Sequence, residues 1–383
     1  MKLSTERILT THVGSLPRSQ KVFELVFARE RNEPYDPAEY GAAIREAVAE
    51  VTRKQQAAGV DVVSDGEQSK ISYATYIKDR LTGFAGDSPR RTPKDLEEYP
   101  DYSRRIAQSG GVPAYSRPKC VSEVTVKDLQ PLHTDLDNFA QALQEAGVTE
   151  GFMNAASPGV IALFQPNEFY PDHASYLFAL AEAMRPEYEA IVQAGLVLQI
   201  DSPDLALGRH MMFKDKTEAE FLQMAELHVE ALNQSLRNIP AESVRLHVCW
   251  GNYQGPHHCD IEMRRILPTV LKAKPQALSF EGSNPRHAHE WTAFRDASVP
   301  EDKVLIPGVL DSTTNFVEHP ELVAERICRY ANLVGRERVL AGSDCGFSTF
   351  AGFGTVDSEI TWAKLGALAE GARIASKRLW GRE

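Results

Sequence analysis

The feature that most constrains the fold is an alternation between short apolar runs and helix-like stretches. Eight runs rich in β-branched and other apolar residues recur along the chain. They are continuous rather than alternating in polarity, which is typical of parallel strands buried on both faces. The runs are ILTTHV (8–13), VDVVSD (60–65), GFMNAA (151–156), LVLQID (196–201), VRLHVCW (244–250), ALSFEG (277–282), VLIPGV (304–309) and VLAGSD (339–344).

Helix-like stretches separate most of these runs, and several end in a glycine just before the next run, as at Gly59 and Gly195. Glycine is the usual residue just past a helix C-terminus. Eight strand–helix alternations predict an α/β fold of the (β/α)8 TIM-barrel class, with residues 1–383 as a single domain. The clearest predicted helices are 37–58, 172–194, 216–237 and 319–334.

One segment interrupts the alternation. Residues 84–118 are rich in proline, glycine and charge, and a strand-like run at 120–126 and a helix-like stretch at 135–146 follow. We therefore predict an insertion at 84–146, between the second and third barrel strands, that serves as an active-site lid or an oligomer contact.

Charge and cysteine content narrow the class of protein. The formal net charge is −11, which argues against a nucleic-acid or membrane surface. Five widely spaced cysteines do not form a disulfide framework, and the N-terminus has no apolar signal region. We expect a cytoplasmic enzyme whose partners are small molecules. A homo-oligomer is also compatible with the sequence.

In a barrel of this class, functional residues gather at the C-terminal ends of the strands. The residues at or just after the C-terminal ends of the predicted strands are rich in acids and metal ligands. They are His12, Ser15, Asp65, Glu67, Ser157, Asp201, His247, Cys249, Glu281, Asp311, Asp344 and Cys345.

His247 and Cys249 are two residues apart on one predicted strand, so both side chains point to the same face. A thiolate and an imidazole on one face suit zinc. Glu281 and Cys345, at two other strand ends, would complete a set of two sulfurs, one nitrogen and one oxygen. The alternative is that His247 is a hydrogen-bonded interior histidine and Cys249 a small buried apolar residue.

Three further groups have both a functional and a structural interpretation. Glu67 and Asp201 would hold a substrate ammonium group or donate protons, or else cap the helices that follow. Gly14 and Ser15 would bind a carboxylate or sulfonate through backbone N–H groups, or form only a tight turn. The His257-His258-Cys259 loop would supply an acid or base, or is simply solvated.

Together, seven segments resemble the cobalamin-independent methionine synthase superfamily, and specifically its catalytic barrel alone. They are THVGSLPR, DGEQ, QIDSPDLA, HVCWGN, SFEGSNPR, IPGVLDS and GSDCGF. The resemblance implies a zinc site and a pocket for homocysteine. It assigns the zinc ligands to His247, Cys249, Glu281 and Cys345, the amino-group contacts to Glu67 and Asp201, and the carboxylate contact to Ser15. Ser157, from its place at a strand end, is a further candidate substrate-binding residue.

The chain also departs from true methionine synthases. SPGVIALF stands where they carry a Thr-Gly-Pro-Val-Thr segment and a tryptophan that packs on the folate. Three other segments instead resemble epoxyalkane:coenzyme M transferases: RLHVCWGNYQGPHHCDI, LSFEGSNPRHAHEW and EGARIASK. If the thiol is the sulfonated coenzyme M, basic residues of this chain such as Lys70, Arg209 or Arg286 would hold its sulfonate.

Both branches imply the same chemistry. Zinc lowers the pKa of a substrate thiol, the thiolate attacks an electrophilic carbon, and an acid protonates the leaving group. His257, His258 and Asp311 are the candidate acids. The expected activity is methyl transfer to homocysteine or a related thiol. Alkylation of coenzyme M by an epoxide is the alternative, and a non-catalytic zinc-binding barrel subunit is a third possibility from another class.

Overall fold

The computed structural model describes residues 1–109, 116–352 and 354–381. Within them, the strands are β1 (Leu9–Thr10), β2 (Val63–Ser64), β3 (Phe84–Ala85), β4 (Lys119–Cys120), β5 (Gly151–Ala156), β6 (Val197–Asp201), β7 (Val244–Val248), β8 (Ala277–Phe280), β9 (Val304–Leu310) and β10 (Leu340–Ser343). The helices are α1 (Gln20–Glu30), α2 (Pro37–Ala57), α3 (Lys94–Glu97), α4 (Pro100–Ser109), α5 (Gln130–Ala146), α6 (Pro158–Phe164), α7 (His173–Gln193), α8 (Glu218–Ser235), α9 (Met263–Val270), α10 (Trp291–Asp296), α11 (Pro320–Val334) and α12 (Ser358–Trp380).

Eight parallel strands form one sheet in the order β1, β10, β9, β8, β7, β6, β5, β2. The two ends of this order also meet. The backbone N–H of Val62 donates to the Thr10 carbonyl at 3.0 Å, and the Thr11 hydroxyl donates to the Val62 carbonyl at 3.0 Å. These bonds close the sheet, and the predicted (β/α)8 barrel is confirmed, since each of the eight strands overlaps a predicted run.

The long helices begin and end where the sequence signals predict. The side chain of Asp36 accepts a hydrogen bond from the Ala38 N–H at the start of α2, where Pro37 occupies the first helical position. Gly59 and Gly195 follow α2 and α7 with φ angles of 86° and 83°, a conformation that favours glycine. Among the described residues, no helix combines the length and apolar character that crossing a bilayer requires.

The predicted insertion at 84–146 divides into two parts. Its last helix, α5, packs against α2 and precedes β5, so it occupies the position of a barrel helix. The preceding part contains the antiparallel pair β3 and β4 together with α3 and α4. The strand predicted at 120–126 is reduced to β4 and a single bridge between Leu81 and Val126, and residues 110–115 lie outside the described part of the chain.

The barrel interior changes from apolar to polar along the strands. Phe152 and Val197 belong to an apolar cluster at the strand starts. Arg245 lies above it, with its guanidinium 3.5 Å from the Phe152 ring centroid and its Nε 2.6 Å from the Gln199 Oε1 atom. Because side chains two residues apart share a face, the next interior position on this strand is His247. The strand register places it beside Asp201 at the barrel mouth.

Candidate metal and substrate site

A cavity of about 310 Å³ lies at the C-terminal ends of the barrel strands. That volume is within the range of small-molecule binding sites. Its walls come from the barrel on one side and from the insertion on the other. The barrel contributes Val13, Ser15, Glu67, Asp201, His247, Cys249 and Cys345, and the insertion contributes Ser88, Arg90, Arg91, Thr92, Leu96 and Arg117, among others.

Three of the four predicted metal ligands meet at the barrel side of this cavity. The ligand atoms of His247, Cys249 and Cys345 all lie within 4.8 Å of one another, and the two sulfurs are 3.7 Å apart. Both ring nitrogens of His247 are buried without a hydrogen-bond partner among the described residues. A hydrogen-bonded interior histidine would have a partner for at least one nitrogen. The arrangement therefore fits a bound metal ion, and two sulfurs with one imidazole are the donors that zinc prefers.

The two cysteines share their proton unequally. A hydrogen bond from the Cys249 thiol and the neighbouring His247 lower the pKa of Cys345 to about 6, against the opposing effect of burial. The same hydrogen bond, reinforced by burial, raises the pKa of Cys249 well above its usual value. One thiolate thus forms near neutral pH, and thiolates are the form in which cysteines bind metals.

Glu281, the fourth predicted ligand, is buried nearby but is not part of that three-residue group. Its carboxylate accepts hydrogen bonds from the Trp250 N–H at 2.9 Å, the Asn284 amide at 2.8 Å and the Arg286 guanidinium at 2.6 Å. Burial would raise the pKa of Glu281, but Arg286 and other neighbours lower it to about 2. The group is therefore anionic, and coordination by it stays a prediction.

Asp344 fixes the loop that follows Glu281. Its two carboxylate oxygens accept hydrogen bonds of 2.8 Å from the backbone N–H groups of Gly282, Ser283 and Asn284. The Asn284 side chain bridges the Asp344 and Glu281 carboxylates. Asp344 directly precedes Cys345, so a single residue couples the positions of two predicted ligands.

Glu67 and Asp201 form a buried acidic pair on the cavity wall. Desolvation raises the pKa of Glu67 to about 8, and its Oε2 atom is buried with no hydrogen-bond partner among the described residues. Glu67 also has a φ of 56°, a strained conformation that clusters at functional sites. Asp201 accepts hydrogen bonds from Asn154 at 2.9 Å and Gln199 at 2.8 Å. Neither carboxylate caps a helix, and the pair fits a cationic ligand.

The two predicted serines differ in position. Ser15 lines the cavity, and its hydroxyl accepts a 3.3 Å hydrogen bond from the Ser348 N–H. Ser157 instead caps α6, accepting from the Val160 N–H at 2.9 Å and donating to Asp204 at 2.8 Å. Since it is not among the cavity-lining residues, its position does not support substrate binding.

The three candidate acids also lie outside the cavity lining. Both ring nitrogens of His257 are occupied, by Asp260 at 3.1 Å and by the Tyr253 carbonyl at 3.1 Å. His258 is exposed and pairs with Glu98 at 2.7 Å. Asp311 accepts three hydrogen bonds from the two threonines that follow it. A direct role for any of them in proton transfer is therefore not supported by their positions.

The basic residues considered for a sulfonate have other contacts. Lys70 donates to the Asn154 carbonyl at 2.7 Å, Arg209 to the Phe213 carbonyl at 3.3 Å, and Arg286 to Glu281. The cationic side of the cavity comes instead from the insertion, through Arg90, Arg91 and Arg117. The charge-rich composition of 84–118 was the available signal, but it did not show that these side chains face the cavity.

Known proteins share this architecture. Residues 8–361 match the family described as "Cobalamin-independent synthase, Catalytic domain". The chain belongs to this family. A methionine synthase of Saccharolobus solfataricus is 25% identical over 373 residues, which cover 97% of this chain and 95% of that protein. A methionine synthase of Sulfurisphaera tokodaii is also 25% identical, with coverage of 97% and 93%.

Two solved structures have the same fold as this cobalamin-independent synthase barrel. A B12-independent methionine synthase from Shewanella sp. W3-18-1, in complex with selenomethionine, aligns with a TM-score of 0.73 at 18% identity, over 98% of this chain and 99% of its own. A putative vitamin-B12-independent methionine synthase from Listeria monocytogenes aligns with a TM-score of 0.63 at 17% identity, over 96% and 98%. The match of residues 8–361 to the family confirms the assignment predicted from the seven segments.

Proposed function

We propose that the protein is a zinc-dependent methyltransferase that methylates the thiol of homocysteine or of a closely related amino acid. One observation carries the proposal: His247, Cys249 and Cys345 share one cavity with the acidic pair Glu67 and Asp201. The family, in which relatives are named methionine synthases, supports thiol methylation.

Different residues of the cavity bind different parts of the substrate and the metal. Glu67 and Asp201 hold the substrate ammonium group. The Oε2 atom of Glu67 is free to accept a hydrogen bond from it, because this atom has no partner among the described residues. Ser15 lines the same cavity, and we expect it to contact the carboxylate. His247, Cys249 and Cys345, with Glu281 as the proposed fourth ligand, hold zinc, which when bound lowers the pKa of a thiol.

Fixing the amino acid at its charged end aligns its sulfur for attack along one direction. The sulfur–carbon bond forms as the bond from the methyl carbon to the donor breaks. The electron pair of that bond stays on the donor, which takes up a proton.

The direct test is product formation by the zinc-loaded protein. We expect methionine, detected by mass spectrometry, from homocysteine and a methylated tetrahydrofolate, and no product from coenzyme M and epoxypropane. We expect homocysteine rather than coenzyme M to react because coenzyme M has no ammonium group to bind to Glu67 and Asp201. Product from coenzyme M alone would contradict the proposal and support the epoxide alternative, and absence of both products with zinc bound would support the non-catalytic subunit.

The raised pKa of Glu67 predicts a pH dependence of ligand binding. With a pKa of about 8, Glu67 is largely protonated at pH 7, and an ammonium group binds its ionised form. Binding of methionine should therefore release a proton at pH 7, and the affinity should rise as the pH increases towards 8. Methionine is the suitable ligand because its thioether has no proton of its own to release.

Calorimetric titration in buffers with different ionisation enthalpies measures that proton. In Glu67→Gln, we expect the proton release to vanish and the affinity to fall about tenfold or more, as for loss of a charged hydrogen bond. The surface substitution Glu24→Gln on α1 is the matched control. Unchanged proton release in Glu67→Gln would show that another group titrates.

A further inference from the structure

The wall that the insertion contributes to the cavity carries positive charge that the metal site does not use. Arg90, Arg91 and Arg117 all line the cavity from this segment. The carboxylates that line the cavity, Glu67 and Asp201, come from the barrel instead. A ligand that fills the cavity therefore meets acidic side chains beside the proposed metal ligands and basic side chains along the insertion.

Arg91 is half-buried, and unlike the fully buried Arg80 it has no ion pair among the described residues. Its Nη1 atom is buried without a hydrogen-bond partner among the described residues. Burial lowers the pKa of Arg91, and no carboxylate among the residues that the structure describes offsets that effect. Arg80, in contrast, pairs with Asp135 at 2.7 Å and with Glu187 at 3.0 Å. Partial burial of an unpaired guanidinium costs free energy, and a bound anion would offset that cost.

Arg91 is not what attaches the insertion to the barrel. Asp95 does so, accepting hydrogen bonds from the Tyr253 hydroxyl at 2.8 Å and from the His257 N–H at 2.9 Å. The Tyr102 hydroxyl adds a bond of 2.7 Å to the Gln254 carbonyl. Because these contacts position the wall without Arg91, a purely structural role does not account for its charge.

We propose that Arg91 binds an anionic group with several oxygens, a carboxylate, sulfonate or phosphate, on the second substrate, the alkyl donor. This inference rests on the proposed function, which places the charged end of the thiol substrate at Ser15, Glu67 and Asp201. A guanidinium offers a planar fork of N–H donors that matches such a group. The donor is thereby oriented from its distal end, with its reactive carbon towards the barrel side of the cavity.

Direct binding of small anions tests this assignment. Zinc-loaded protein saturated with methionine is titrated with glutarate, ethanesulfonate and inorganic phosphate at constant ionic strength. We expect at least one of the three probes to bind, and its identity gives the chemical class. Arg91→Met should weaken that binding about tenfold or more. Arg91→Lys should retain part of it, since the charge remains without the fork.

Arg104→Met is the matched control, because Arg104 lies on the same insertion but is exposed and pairs with Asp101. We expect its anion affinity to equal that of the unchanged protein. Equal affinity in Arg91→Met, absence of binding by all three probes, or displacement of methionine by the probe would each overturn the assignment.

The test is separable from that of the proposed function. Anion binding that depends on Arg91 stands as a result even when no methionine forms, in which case the methyl-transfer proposal alone fails. Conversely, in an active enzyme Arg91→Met should raise the KM for the methyl donor about tenfold and leave the KM for homocysteine unchanged. An equal rise in both values would overturn the assignment to the donor.

Discussion

Replacing Cys249 with serine should remove zinc from the protein and reduce methionine formation by more than about 100-fold. Loss of a residue that only orients a metal ligand typically costs 10–100-fold, and loss of a ligand itself should exceed that. The Cys249 sulfur is buried 3.7 Å from that of Cys345. A serine hydroxyl is a poor replacement because it does not ionise near neutral pH. The measurement is zinc content after dialysis against a chelator, together with turnover.

Cys328→Ser is the matched control, since Cys328 lies on α11 and is only partly buried, away from the cavity lining. It should keep both zinc and activity. Full zinc content in Cys249→Ser would contradict the metal site proposed here. Thermal unfolding of each variant, compared in the presence of a chelator, separates loss of metal from loss of fold.

Glu281→Gln distinguishes coordination from positioning. If Glu281 is the fourth ligand, the glutamine variant should lose zinc affinity nearly as strongly as Cys249→Ser. If its role is to hold Trp250, Asn284 and Arg286, a glutamine retains part of those contacts and the loss should be smaller. The comparison is read from zinc affinity, measured by competition with a chelator.

Gly308→Ala should destabilise the protein by about 3 kcal/mol or more, near the upper end of the usual cost of overpacking. Gly308 lies in the interior of β9, where a Cβ atom would be 2.1 Å from Asp344 Oδ1 and 2.6 Å from the Asp344 Cα atom. The backbone itself is in the way, so a side-chain rotation does not relieve the clash. Urea-induced unfolding, followed by circular dichroism, measures the change in the free energy of unfolding.

Gly366→Ala provides the opposite expectation within the same chain. Gly366 is a residue of α12 with no atom within 4 Å of an added Cβ. Alanine in a helix is favoured over glycine by about 0.5–1 kcal/mol, so this variant should be as stable as the unchanged protein or slightly more. Equal stability of the two alanine variants would show that β9 and β10 are not as close as described.

The Gly308→Ala substitution should also lower the affinity for zinc, since Asp344 holds the loop that follows Glu281.

The candidate metal site could be predicted from the sequence because its signal is local. His247 and Cys249 share a strand, and the period of two in an extended chain places both on one face. The recurring strands then bring Cys345 to the same end of the barrel, since parallel strands have their C-terminal ends at one edge. Glu67 and Asp201 followed from the same rule.

The acid candidates and Ser157 show where local reasoning stops. His257 follows a strand end in sequence, yet its ring is turned to Asp260 and the Tyr253 carbonyl. Ser157 has the position expected of a barrel-mouth residue, but its hydroxyl caps α6 and donates to Asp204. Which way a loop side chain turns depends on partners that are distant in the chain, and no periodicity encodes them.

The sequence by itself determined the barrel, the family and three residues of the candidate metal site, because repeated strand–helix units and strand periodicity are set by neighbouring residues. Only the tertiary structure decided how the insertion contributes to the site. Residues 90, 91 and 117 belong to an irregular segment without a period to predict their direction. Long-range contacts, such as those of Asp95 with Tyr253 and His257, fold that segment over the barrel mouth and bring Arg91 to the cavity.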